Sequence, residues 1–191
     1  MTAMKNLFLT LVVSIFVIGC GSSKSTVERT IDAAPDWYTN VPTSDDMLYA
    51  AVTSTSQDMQ IAVNKAQADA RNQISQQMEV KYSALTQRFQ EEVGLAADSE
   101  LLEQYTSSYK AVVSQVLNGS RATDQEIIPE GESGYRAFVL MEMPIGQASQ
   151  QLLEQIRQNQ LMYTRFRASQ AYEELESEVE KYEQWKKDNG Q

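Results

Sequence analysis

Residues 47–78 read MLYAAVTSTSQDMQIAVNKAQADARNQISQQM, and a change of apolar period inside this stretch decides the fold. Met47 to Ser54 is a short apolar run with β-branched and aromatic members, bounded by Asp45-Asp46 and by a polar cluster, which is the composition of a strand. Thr55 to Asp58 then offers Thr-x-x-Asp, a start like a capping box. Met59, Ala62, Val63, Ala66, Ala70, Ile74 and Met78 follow at spacings of three and four. The stripe predicts an amphipathic helix. Its inward middle is alanine, so the helix can lie close against its neighbour, and a strand leading into such a helix makes that neighbour a sheet.

Toward the C-terminus, Met78, Val80, Tyr82 and Ala84 alternate with polar residues, which fits a second strand; a helix running on to Glu92 fits the same letters. Gly94 ends either one. Asp98 offers a cap for a further helix with Leu101, Tyr105, Tyr109, Val112 and Val116 on one face, stopped by Asn118-Gly119. A hairpin comes next, from Ser120 to Ile128, through a 129–134 connection, and back from Tyr135 to Met143. The second arm is apolar on both faces, as a central strand requires. After Pro144 the chain is helical in pattern from Ile145 to Lys187, as one long helix or two with a bend near Arg167. At 1.5 Å per residue that length would reach roughly 65 Å, more than a domain of this size is wide, so part of it must bend back, protrude or find a partner. The expected fold is α+β: a small antiparallel sheet of three to four strands, helices packed on it, and a long C-terminal helix.

Toward the N-terminus, one charge, Lys5, precedes an apolar run from Leu7 to Ile18 that closes on Gly19. This is the shape of an export signal, and at about 12 residues it is too short for a permanent span. Val17-Ile18-Gly19-Cys20 resembles the lipobox of bacterial lipoproteins. The resemblance implies cleavage between Gly19 and Cys20, and a diacylglycerol thioether plus an N-acyl chain of the palmitate class on Cys20. No second cysteine competes for that thiol. Residues 1–19 thus read as a signal peptide and 20–34 as a lipidated flexible tether. The stretch 35–145 reads as the α/β domain and 146–191 as an acidic helical extension. Fully extended, the tether reaches roughly 50 Å.

Together with the lipobox, Pro35-Asp36-Trp37-Tyr38, the Leu48-Tyr49-Ala50-Ala51 strand, the helix with Ala66, Ala70 and Arg71, and Tyr135-Arg136-Ala137-Phe138-Val139-Leu140-Met141 resemble the twenty-kilodalton bacterial lipoprotein family, LPP-twenty. The resemblance covers roughly Pro35 to Ile145. It implies a small α/β domain attached to the outer membrane, in some relatives as part of a flagellum-associated assembly. Gly21 in place of Asp after the cysteine looks like the signal for onward sorting to the outer membrane, and no acidic run marks surface export. The expected location is therefore the periplasm-facing outer membrane.

The chain has 16 basic and 26 acidic residues and a formal charge of −10, which disfavours nucleic acid and anionic headgroups; membrane attachment falls to the acyl chains. It has no histidine, so Ser-His and Cys-His nucleophile pairs and histidine-containing zinc sites are excluded by composition. No cofactor or metal is expected beyond the lipid on Cys20, and no enzymatic activity. Asp45-Asp46 is the nearest approach to a carboxylate pair but reads as a turn, and Gly131-Glu132-Ser133-Gly134 reads as a hairpin turn rather than a phosphate loop. The acidic run Glu173, Glu174, Glu176, Glu178 and Glu180 reads as a solvated helix face partly paired with Lys181, Lys186 and Lys187. Trp37 and Tyr38 form either a lid at the domain edge or a docking spot. The candidate contact stripe is Tyr172, Leu175, Val179 and Tyr182, for a second copy, another protein, or the domain itself. The expected role is a structural or protein-interaction lipoprotein; the alternatives are a periplasmic carrier of a small apolar ligand and a carboxylate hydrolase.

Overall fold

The structure is a computed structural model and describes residues 33–93, 99–116 and 119–188. Among them a single turn, α1 (Asp36–Thr39), leads to β1 (Met47–Ser56). The helices α2 (Met59–Val93) and α3 (Ser99–Val116) come next, then the hairpin β2 (Arg121–Glu130) and β3 (Gly134–Pro144). Three further helices complete the chain: α4 (Ile145–Gln158), α5 (Gln160–Phe166) and α6 (Gln170–Asp188). The sheet is antiparallel in the order β1-β3-β2. The class is α+β, as expected.

β3 is central because it is apolar on both sides: every residue from Ala137 to Met143 is buried. Ala50 lies opposite Met141 and Val52 opposite Val139, and these side chains meet α2. The alternate residues face the other way, where the Tyr38 ring stands edge-on to Phe138 at 4.9 Å. A bulge between Ala122 and Asp124 adjusts β2 so that Ile127 reaches Ala62, Val63 and Ala66. The alanines at 62, 66 and 70 are fully buried, so α2 lies close on the sheet.

Several expectations are corrected. Of the two readings left open for 78–92, the helix is realised: α2 continues to Val93 and no strand forms there. Tyr82, Leu85 and Phe89 are buried at helical spacing while Val80 is 72 % exposed, the reverse of what a two-residue period would give. Alternation over four residues was too short to outweigh the stripe already running. Met59 heads that stripe in sequence but is 49 % exposed, because it precedes the turn that meets the sheet. β1 extends to Ser56, so the cap is Asp58, whose carboxylate accepts from the Ile61 N–H at 2.9 Å, rather than Thr55. The hairpin arms run on to Glu130 and resume at Gly134, taking Pro129 into an edge strand that tolerates its missing N–H. Gly131 supplies the positive φ (63°) that the turn needs. Gly94, Asp98 and Asn118 lie outside the described residues.

The long C-terminal helix is three helices. Asn159 breaks the first by leaving helical geometry, and its side chain accepts from the Met162 N–H to start α5. Buried Ser169 makes the second break: its hydroxyl donates to the Phe166 carbonyl and accepts from the Tyr172 N–H, opening α6. α6 then folds back along α4. Leu152, Ile156, Phe166, Tyr172 and Leu175 share one core with Ala50, Met78, Tyr105 and Met141, and Ala34–Gln191 is one compact unit. The segment after residue 145 is therefore part of the domain's core rather than an extension of it. No described helix is long and apolar enough to cross a membrane.

Candidate functional site

Three helices meet at a polar seam over this core. Tyr82 of α2 points inward, and its hydroxyl lies 3.3 Å from the buried Ser149 hydroxyl of α4. Ser149 donates in turn to Glu178 of α6 at 2.5 Å. A serine has one proton to give, so Tyr82 is the donor to Ser149 and the relay ends on a carboxylate, the stronger kind of acceptor. Glu178 also pairs with the Lys81 ammonium, and Glu174 with Lys81 and Arg88. Arg157 of α4 bonds the Glu176 carboxylate at 3.0 Å and the Tyr172 hydroxyl at 3.3 Å. Glu174, Glu176 and Glu178 are thus docked by cations of α2 and α4, which corrects the expectation of a solvated face for these three, while Glu173 and Glu180 stay exposed. Of the lysines on α6 itself, Lys186 pairs with Glu183, while Lys181 reaches out to Asp46 at 3.4 Å. The α2 partners, 86 to 97 residues away in sequence, left no local signal.

The stripe Tyr172, Leu175, Val179 and Tyr182 is turned toward the chain's own domain. Tyr172 and Leu175 are buried, Val179 packs against the core, and Tyr182 lies over Gly146 while stacking on Trp185 with centroids 5.9 Å apart. Of the three fates left open for it, folding onto the domain is the one realised. Trp37 and Tyr38 are half-buried, and Tyr38 caps Phe138 as a lid. Asp45-Asp46 sits in a turn: the Asp46 N–H donates to Ser44 Oγ and its carbonyl accepts from the Ile145 N–H at 3.0 Å, which ties β1 to the start of α4. Among the described residues no group of acids is placed to hold a metal ion. Cys20 and Gly19 lie outside the described residues.

Burial raises the Tyr82 hydroxyl well above the usual phenol range, with the Ser149 hydrogen bond offsetting part of the effect. Tyr105, fully buried with a hydroxyl that finds no hydrogen-bond partner among the described residues, is raised by burial and by its tyrosine and glutamate neighbours. An unfolded phenol loses its proton near pH 10, while these two keep theirs in the fold. Above that pH the unfolded state binds fewer protons, so stability is full below about pH 10 and falls as pH rises beyond it. Absorbance titration at 295 nm is expected to show two tyrosines ionising only with unfolding, and Tyr105→Phe to reduce the alkaline loss. Simple reversible ionisation of all tyrosines in the folded protein would contradict this.

The cavities divide into two kinds. A small, partly open one between Asp45, Pro144, Gly146 and Tyr182 holds about 20 Å³, room for a single water. A groove lined by Glu100, Gln104, Ser108, Gln155 and Asn159 is open to solvent and polar. The space between the helices is filled by side chains, among them the rings of Tyr82, Phe89, Tyr105 and Phe166.

Residues 35–142 match the family described as LPP20 lipoprotein. The chain belongs to the LPP20 lipoprotein family. The match runs from α1 through all but the last two residues of β3, so the LPP20 segment holds nearly the whole sheet with α2 and α3 and stops before α4. No curated protein matches the chain. In this LPP20 protein, the seam joins the family segment to the C-terminal helices: Lys81, Tyr82 and Arg88 lie within the match, while Ser149, Glu174 and Glu178 lie beyond it. Sequence reasoning missed Ser149 and Gly146. Gly146, the one glycine in the C-terminal helical stretch, was the available signal; a lone buried serine gave none.

Proposed function

We propose that this LPP20 protein is a non-catalytic module of the outer membrane, attached by acyl chains on Cys20, facing the periplasm, and working by presenting its folded surface to a protein partner. The match to a lipoprotein family over residues 35–142 carries this reading. It is supported by Cys20 standing directly after an apolar run, and by a domain whose first described element, α1, follows a polar tether. More than one acyl chain is needed, because a single chain gives marginal binding at about 0.8 kcal/mol per methylene. The covalent lipid is the one non-protein group this reading requires, and a net charge of −10 argues against nucleic acid as the partner. A carrier of a small apolar ligand is disfavoured by a core filled with aromatic rings.

Intact mass and membrane fractionation of the native protein beside Cys20→Ala test the anchor. The expected result is a native chain that starts at Cys20 with added acyl mass and sediments with outer membrane, and a variant that is soluble or unprocessed. Identical fractionation of the two would remove the anchor from the account.

A further inference from the structure

The two outer edges of the sheet are built differently. β2 carries the devices that keep an edge strand from pairing: Arg121, Asp124, Glu126 and Glu130, a bulge, and Pro129. β1, MLYAAVTSTS, has no charge, no glycine and no proline over ten residues, and its one strand neighbour is β3. In an antiparallel ladder alternate residues turn both backbone groups to the same side. The Gln77 side-chain amide donates to the Tyr49 carbonyl at 3.0 Å, which marks Tyr49, Ala51, Thr53 and Thr55 as the outward set. Among the described residues Gln77 is the partner found there, and no backbone group bonds the others from that side. A regular, uncharged edge without a second strand neighbour is a template for another extended chain.

The wall beside this edge is equipped as well. Gln77 also lines an open pocket of about 410 Å³ with Gln73, Gln76 and Val80, the valine that helical register leaves 72 % exposed. At the other end of the strand, the exposed Asp69 carboxylate accepts from Ser54 Oγ at 3.1 Å. The edge therefore runs from an apolar contact near Tyr49 to a negative charge near Ser54. We propose that β1 takes an extended segment of a partner protein as a fourth strand. That segment is uncharged across β1, places an aliphatic side chain against Val80, and carries a lysine or arginine toward Asp69. It displaces the Gln77 amide from the Tyr49 carbonyl. The proposal rests on the partner-binding reading above and names its surface.

The test uses the full-length lipidated protein in detergent and a labelled peptide of alternating threonine and valine with a lysine at each end. Saturable binding is expected, with slowed amide exchange at Ala51, Thr53 and Thr55. Ala51→Pro removes an outward N–H without touching the β3 ladder and is expected to weaken binding at least about tenfold. Asp69→Lys, at an exposed position that leaves the fold intact, is expected to do the same; Asp124→Lys on the β2 edge is expected to change nothing. The proposal is overturned by unprotected β1 amides at saturating peptide, by equal binding in Asp69→Lys, or by a peptide-free dimer that Asp69→Lys or Ala51→Pro dissolves, which would make a second copy the occupant. Failure here with normal membrane fractionation removes the edge alone. Failure of the Cys20 experiment removes the anchored reading and leaves the peptide result standing.

Discussion

Gly146→Ala is expected to cost about 3 kcal/mol, the upper part of the range for overpacking a close contact, although alanine is the better helix former. Gly146 lies in the first turn of α4, where α6 crosses it. A Cβ there would collide with Tyr182 Cβ and stand 2.5 Å from the Glu178 carbonyl oxygen. Neither neighbour is the free end of a flexible side chain, so relief requires moving α6 away from α4. That movement would stretch the bond from Ser149 to Glu178 and lift Tyr172 and Leu175 from the core. In a domain of this size a loss of that order lowers Tm by roughly 6–12 °C. Gly131→Ala is the control: its φ of 63° is strained for alanine, but nothing lies within 4 Å, so about 1 kcal/mol is expected. Equal melting temperatures for the two variants would show that α4 and α6 do not pack as described.

Phe166→Ala is expected to be comparably damaging, at about 3–5 kcal/mol. Phe166 is completely buried at the end of α5, with ring centroids 4.8 Å from Phe89, 5.0 Å from Tyr105 and 5.9 Å from Tyr172. It joins α2, α3, α5 and α6 at one point, so its removal leaves a cavity walled by four elements that cannot all close on it. Urea denaturation would show a lower midpoint with little change in slope. Phe166→Leu, which keeps much of the volume, is expected to recover more than half of the loss. A Phe166→Ala midpoint close to that of the native protein would mean that the C-terminal helices do not share the core.

The elements whose periodicity ran long were legible without the structure. The stripe from Ala62 to Met78 is buried on the sheet, and the face Leu101, Tyr105, Tyr109 and Val112 is buried as expected. The two-sided apolar arm Ala137 to Met141 is the central strand. What stayed open or failed was local: four alternating residues at 78–84 imitated a strand well enough to leave helix and strand undecided, and Asn159 and Ser169 broke a helix whose side-chain pattern barely registers them. An asparagine or serine in a polar run is an ordinary surface residue until its side chain is seen bonding the next turn.

Burial patterns belong to a segment and its solvent, so composition and spacing by themselves determined the acidic balance, the α+β class and the central strand. Pairings between distant segments depend on how the chain folds back, and only the tertiary structure decided them. It turned the acidic run on α6 into a clamp on Lys81, Arg88 and Arg157, set Ser149 between Tyr82 and Glu178, and let Gly146 bring two helices into contact. It also left one sheet edge guarded and the other bare. Charge and hydrogen bonding act over a few ångströms, and which groups come within that range is a property of the fold rather than of any stretch of sequence.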